Sequence, residues 1–306
     1  MKKVGALLIS LLLAASVLCA CRRGDEPPFD PASATEEYAR IYPNGQAFDF
    51  DAVQTFTRTS TIHVSGDALT AEDPHGRPYY PTNEVEEYKY ENKNGVVRSQ
   101  RTLRHVYAFD SPTNRPKYAP YSREIYADGT LFYVHMDDEG EQLDEPVTPE
   151  KVYADRAEYL DDSRRCFDAN LQRVVPYDLT LFSSFTGQKE RNTYCMTGIV
   201  DVAGHGEAFF DAFAANYTFK TWYTPVADTR IYEYFLNPDF FSSNTRIKVE
   251  ITSDRNGLRS VTETFETIAW ERPIQAIKDT PIRITCSTEY STGAFSEEII
   301  TPQLAA

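Results

Sequence analysis

No HExxH, CxxC or Gly-x-Ser-x-Gly spacing occurs in these 306 residues, and the five histidines, His63, His75, His105, His135 and His205, are scattered. The first two absences argue against a sequence-local metal site and the third against a serine nucleophile on a strained elbow. The acidic run Asp137-Asp138-Glu139-Gly140-Glu141, followed by Asp144 and Glu145, lacks the alternating spacing of a calcium loop and reads as a solvated turn. Basic residues are also in deficit, 31 Lys and Arg against 46 Asp and Glu, for a formal charge of −15. Phosphate binding needs clustered cations, which argues against nucleic acid or anionic headgroups as the main partner. No metal and no cofactor is expected. A glycosidase would need two opposed carboxylates, and among so many acids the sequence selects no pair.

Long apolar runs are missing too, with one exception at the start. Lys2 and Lys3 precede an apolar stretch from Val4 to Val17, which small residues follow and Arg22-Arg23-Gly24-Asp25-Glu26 ends. That is the order of charge, apolar core and cleavage site in an export signal. A membrane span needs roughly 20 predominantly apolar residues, which makes this segment marginal as a span. Leu18-Cys19-Ala20-Cys21 resembles the lipobox of bacterial lipoproteins, with Cys19 in a slot where that family more often has Ala, Ser or Thr. The resemblance implies a signal peptide over 1–20 and a lipid thioether on Cys21, the first residue of the mature chain. Buried methylenes contribute about 0.8 kcal/mol each, so two or three acyl chains anchor stably where one binds marginally. The expected location is the cell membrane or an outer membrane, lipid-anchored on the extracytoplasmic side. Arg22 is not the aspartate that retains some such proteins at an inner membrane.

After Cys21, residues 21–32 contain Pro27, Pro28 and Pro31 among charges and read as a membrane-proximal linker. Residues 33–306 are expected to form one β-rich domain. Removal of Cys19 and acylation of Cys21 leave Cys166, Cys195 and Cys286, which allow one disulfide at most. Cys286 alternates with Ile282 and Ile284 and is expected to be a small buried side chain, and whether Cys166 meets Cys195 stays open.

Ser33 or Thr35 is placed to cap a short helix through Ile41, which Pro43 ends. From Thr55 to Ser65 the period is two, with Phe56, Ile62 and Val64 on one face and threonines opposite. Asn94-Gly95 between two extended runs predicts a hairpin, because both residues tolerate positive φ. Asp128-Gly129 repeats the device, and Asp254 to Gly257 reverses the chain again between Arg246–Ser253 and Leu258–Ile268. Thr148-Pro149-Glu150 predicts a helix start, with Tyr153, Ala157 and Leu160 following at helical spacing. A second helix is expected from Glu207 to about Tyr217, with Phe209, Phe210, Phe213 and Tyr217 along one side. Strand-like segments flank it, Arg191 to Val202 and Phe219 to Tyr223, and Ile282 to Tyr290 makes a last strand.

The fold class is therefore α+β, mainly antiparallel β. The pieces Glu124–Val134 and Arg246–Arg259 resemble the paired hairpins of the lipoprotein-carrier (LolA-like) superfamily, and Phe56–Val64 resembles its opening strand. That resemblance covers about a third of the chain. It implies a strongly curved sheet, an unclosed half-barrel, with a few helices packed on the concave side and an apolar pocket between them. Phe209, Phe210, Phe213 and Tyr217 would line that pocket as ligand-binding residues, although the same stripe also suits a helix that closes an ordinary core. The expectation is a non-enzymatic envelope lipoprotein that binds an apolar ligand or a protein partner. Its rivals are an extracellular hydrolase of envelope polymers and a structural or adhesive surface module.

Overall fold

The computed structural model describes residues 29–65, 81–107, 121–137, 141–143, 147, 149–162, 166–216, 246–269, 280–293 and 298–302. Tight turns set its plan. Asn94 and Gly95 have φ of 56° and 83°, and Asp128 and Gly129 have 50° and 77°. Paired positive φ matches the right-handed twist of the strands on either side, so each pair closes a two-residue hairpin. These two turns link β2 (Pro81–Lys93) to β3 (Val96–Tyr107) and β4 (Tyr121–Ala127) to β5 (Thr130–Val134); two further two-residue hairpins, with positive φ at Arg191 and at Gly257, link β7 (Phe182–Glu190) to β8 (Thr193–Asp201) and β9 (Arg246–Asp254) to β10 (Gly257–Ala269). With β1 (Thr55–Ser65), β6 (Pro149–Val152) and β11 (Thr280–Ser291) they form one unclosed antiparallel sheet of 11 strands.

The order is β6-β5-β4-β3-β2-β1-β11-β10-β9-β8-β7. The first and last strands are therefore neighbours at the centre, and a meander runs from each to an edge. Along β1, Phe56, Arg58, Ser60 and Ile62 are buried, while Thr57, Thr59 and Thr61 are half-buried and His63 is exposed. Register carries the buried face across the sheet. Ser60 stands opposite Glu86 on one side and Thr288 on the other, and the row continues through Val261, Ile251 and Met196.

Among the described residues four α-helices accompany the sheet: α1 (Ala34–Ile41), α2 (Arg156–Asp161), α3 (Asp168–Leu171) and α4 (Val202–Asn216). The Ser33 hydroxyl accepts from Glu36 N–H at 3.2 Å, an N-cap that fixes where α1 begins. Glu37, Tyr38, Ile41 and the following Tyr42 turn inward. Along α4, Val202, Gly206, Phe209, Phe213 and Asn216 are buried at spacings of three or four, one stripe of a helix. A smaller cluster lies on the other face of β4 and β5, where Ile125, Ala127, Phe132 and Val134 meet Met136, Val147 and Ile299.

Three sequence expectations change. Pro149 opens an edge strand and not a helix: β6 pairs only with β5, and an edge tolerates a residue with no N–H to donate. The helix starts at Arg156, where Asp155 accepts from Glu158 N–H at 2.9 Å and Glu158 accepts from Ala154 N–H at 2.6 Å. The second helix begins at Val202, five residues before Glu207, directly after β8. The strand-like segment Phe219 to Tyr223 lies outside the described residues.

Candidate functional site

The side chain that gathers the site is Arg58. Alternation places it on the inner face of β1, between Phe56 and Ser60, with 1% of its surface exposed. Its guanidinium donates to the carbonyls of Leu171 and Arg173, each at 3.3 Å, to Ser60 Oγ at 3.3 Å, and to the carbonyl of Asn216. Leu171 is the last residue of α3 and Asn216 the last of α4. Terminal helix carbonyls have no intrahelical donor and carry the negative end of the dipole, so one buried cation satisfies both ends. The Asn216 side chain adds a two-point clasp, accepting from Val175 N–H at 2.7 Å and donating to Val175 O at 2.9 Å.

Beside this clasp is a small recess of about 10 Å³, lined by Tyr42, Val174, Tyr177, Val261, Glu263 and Tyr290 among others. Tyr177 donates its hydroxyl to Glu263 at 2.6 Å, and its carbonyl accepts the Tyr38 hydroxyl at 2.7 Å. Burial pushes the Tyr290 phenol up to about 12, against the opposing pull of Arg58, and raises Tyr42 well above the ordinary tyrosine value. Both are neutral at physiological pH. The recess thus offers phenols and valines together with the polar groups of Asn216 and Glu263.

Helix α4 is packed against one side of this region. Phe209 stacks on Tyr177 with centroids 5.1 Å apart, and Phe213 lies 5.9 Å from Phe209 and edge-on to Phe265 at 5.8 Å. Two of the four aromatic residues expected to contact a ligand are therefore brought together, and both are buried among the protein's own rings. The side chain of Phe210 and the whole of Tyr217 lie outside the described residues, as does the lipobox cysteine Cys21.

Two further polar groups are buried in the β1–β6 half. Arg101 donates to Glu86 at 2.8 Å and to Glu124 at 2.9 Å. Burial opposes its charge, yet the two carboxylates raise its pKa above the ordinary arginine value. Asp168 accepts from the Tyr88 hydroxyl at 2.9 Å and pairs with Arg156 at 3.3 Å. Its pKa is raised by burial, and Arg156, Ser99 and Tyr88 pull it back.

Among the described residues Cys166, Cys195 and Cys286 form no disulfide, so Cys166 is not bonded to Cys195. Burial raises the pKa of each, which leaves none as a ready thiolate. Cys286 sits at 0% exposure opposite Ile62, as its alternation predicts. Among the described residues no three His, Cys, Asp or Glu side chains gather as metal ligands, and no helix is long and apolar enough to cross a membrane. Asp137 of the acidic run accepts from Glu141 N–H at 2.8 Å, while 138–140 and 144–146 lie outside the described residues.

Sequence reasoning passed over Arg58, Asn216, Tyr177 and Glu263. For two of them a signal was present: Arg58 alternates with Phe56 and Ile62, and Glu263 with Val261 and Phe265. An ionisable residue at apolar parity has to be hydrogen-bonded or paired once the strand is buried. No protein-family model matches this chain, and no curated protein matches it significantly.

Proposed function

We propose that this chain is a cell-envelope lipoprotein, held through Cys21 to the extracytoplasmic side of a cell membrane or an outer membrane, and that it binds rather than catalyses. In this reading residues 33–306 are a single domain whose sheet is strongly bent into an unclosed half-barrel, with α1 and α4 closing the concave side. The ligand is an apolar molecule of acyl-chain character or an apolar segment of a partner protein, and Phe209, Phe210, Phe213 and Tyr217 face it.

One observation carries the proposal. The C-terminal end of α4, the aromatic helix, is fastened above the sheet by the Arg58 guanidinium and the Asn216–Val175 clasp, beside a recess lined by phenol rings and valines. Drug-sized ligands occupy pockets of roughly 300–1,000 Å³, whereas this recess of about 10 Å³ has room for no more than about one water, so entry of a long chain requires α4 to lift from Arg58 and the aromatic side chains to part. The Leu18-Cys19-Ala20-Cys21 sequence and the unclosed sheet of 11 antiparallel strands support the same reading. The hydrolase alternative has less to rest on. Asp168, a carboxylate whose pKa burial raises, is fully buried under Tyr88 and Arg156, where a polymer has no access.

The test is extraction of the intact protein from its native membrane, followed by native mass spectrometry of wild type and Arg58→Leu. The expected result is an apolar small molecule that co-purifies with wild type and exchanges faster in the variant. Ligand-free masses for both proteins, with no uptake of an added fatty acid by either, would sink the binding reading.

A further inference from the structure

The four two-residue hairpins all project from one end of the sheet. Register shows it: Ser99 of β3 pairs with Tyr126 at the end of β4, and Thr193 at the start of β8 pairs with Asp254 at the end of β9. The opposite end carries the strand termini Ser65, Pro81, Tyr107, Tyr121, Ala269 and Thr280, where the chain leaves β1, β3 and β10 and re-enters β2, β4 and β11. The first described residues lie at the hairpin end. Asp30 pairs with Lys189 at 2.9 Å beside the β7–β8 turn. The Phe29 ring lies under Arg40, which donates to the carbonyls of Asp254 and Arg255 at the β9–β10 turn.

We propose that the hairpin end rests on the surface of the bilayer and that the opposite end of the sheet is held away from it. This rests on the lipid anchor at Cys21 proposed above. Eight residue steps separate Cys21 from Phe29, a reach of at most about 28 Å. A strand of 13 residues such as β10 is about 40 Å long. An inverted molecule, standing on the opposite end, would lift Phe29 farther from the lipid than the linker can span. Charge separates the two remaining poses, upright and lying on a side. The mature chain is acidic, near −17 once Lys2 and Lys3 are lost, and an anionic leaflet repels it within a Debye length of about 8 Å. The hairpin end is close to charge balance where the chain as a whole is acidic: Lys93, Lys189, Arg191 and Arg255 stand at or beside the turn tips among Glu91, Asp128, Glu190 and Asp254, and Arg22 and Arg23 follow the anchor. Val96, next to the Asn94–Gly95 tip, is 50% exposed and adds an apolar contact at headgroup depth.

Full-length acylated protein reconstituted in phosphatidylethanolamine and phosphatidylglycerol vesicles with a headgroup-labelled acceptor lipid tests this. A donor dye is placed through an unnatural amino acid at Asn94 or at exposed Arg283, near the start of β11. Energy transfer to the bilayer is expected to be severalfold greater from position 94. Equal transfer from both positions, or greater transfer from 283, overturns the orientation. Flotation of the same vesicles reads the anchor separately: wild type that fails to float, as Cys21→Ala is expected to fail, removes the lipoprotein reading and the orientation with it. Floating protein with the wrong transfer pattern removes the orientation alone. Charge reversal of Arg191 to Glu is expected to weaken transfer from position 94 without loss of flotation, and unchanged transfer rejects the electrostatic part.

Discussion

The two wings of the sheet are built from different materials. In the β1–β6 wing the buried row facing Arg58 is Tyr88, Arg101 and Glu124, and the row facing Ser60 begins with Glu86. In the β7–β11 wing the corresponding row is Thr288, Val261, Ile251 and Met196, with Ile247, Val249 and Phe265 beside it. The first wing is specified by hydrogen bonds that work in one geometry only, and a second apolar layer around Ile125 and Phe132 backs its β4–β5 end. The second is held mostly by non-directional apolar contact under α4, with Glu263 hydrogen-bonded to Tyr177 and Ser253 to Glu37. Apolar contact is tolerant of sliding and repacking, and buried ion pairs are not. In the proposed binding reading, the β7–β11 wing is where a guest would replace the protein's own rings and the β1–β6 wing is the frame.

The contrast breaks most visibly at Arg101. Replacement by Met leaves Glu86 and Glu124 facing each other without their cation, and the expected loss is about 4 kcal/mol, in the range for removing one partner of a buried pair. Urea unfolding measures it, and a loss under about 1 kcal/mol means the frame is not ionic. In the other wing, Phe213→Ala removes a ring packed on Phe209 and Phe265, with an expected loss of about 3 kcal/mol by the same assay. An added fatty acid should restore part of it in this variant and none of it in Arg101→Met. A shared response would erase the distinction between the wings.

Tyr290, on β11 at the seam, sharpens the comparison through pH. An unfolded tyrosine loses its proton near pH 10 and this one near pH 12, so the folded state holds the proton more tightly. Its contribution is present below pH 10 and fades as pH rises to about 12, by about 2–3 kcal/mol. Tyr290→Phe should flatten the alkaline loss of stability by that amount relative to wild type, and a parallel pH profile would contradict the burial that raises it. The smallest effect is expected at Gly198. A Cβ there would come within 2.5 Å of the Phe182 ring, so Gly198→Ala should cost about 1–2 kcal/mol by tilting Phe182 off β8. An unchanged unfolding midpoint would show that this outer edge is loosely packed.

Much of the strand pattern was legible in the sequence, because a tight turn and a two-residue period are local facts. Asn94-Gly95, Asp128-Gly129 and the run Phe56 to Ile62 each read correctly without reference to the rest of the chain. Strand β7 was illegible for a physical reason: Phe182 to Glu190 is an edge strand, exposed at most positions, and has little alternation to display. Pro149 misled because proline suits both a helix start and a sheet edge. The site was legible only in its aromatic stripe. Arg58 meets Leu171, Arg173 and Asn216 across more than a hundred positions, and no local pattern announces a contact of that span.

The central pairing of β1 with β11 has a kinetic consequence. Thr55 bonds to a carbonyl 237 positions further along, so a chain delivered from its N-terminus holds its opening strand half-zipped until the final strand emerges. Each meander can assemble on its own from neighbouring hairpins, but their junction waits for the last of the chain. Such late closure is slow, as non-local pairing is in general. Until the junction forms, β1 and the strand awaiting β11 each present an unpaired edge, the state in which this sheet is most open to pairing with another chain.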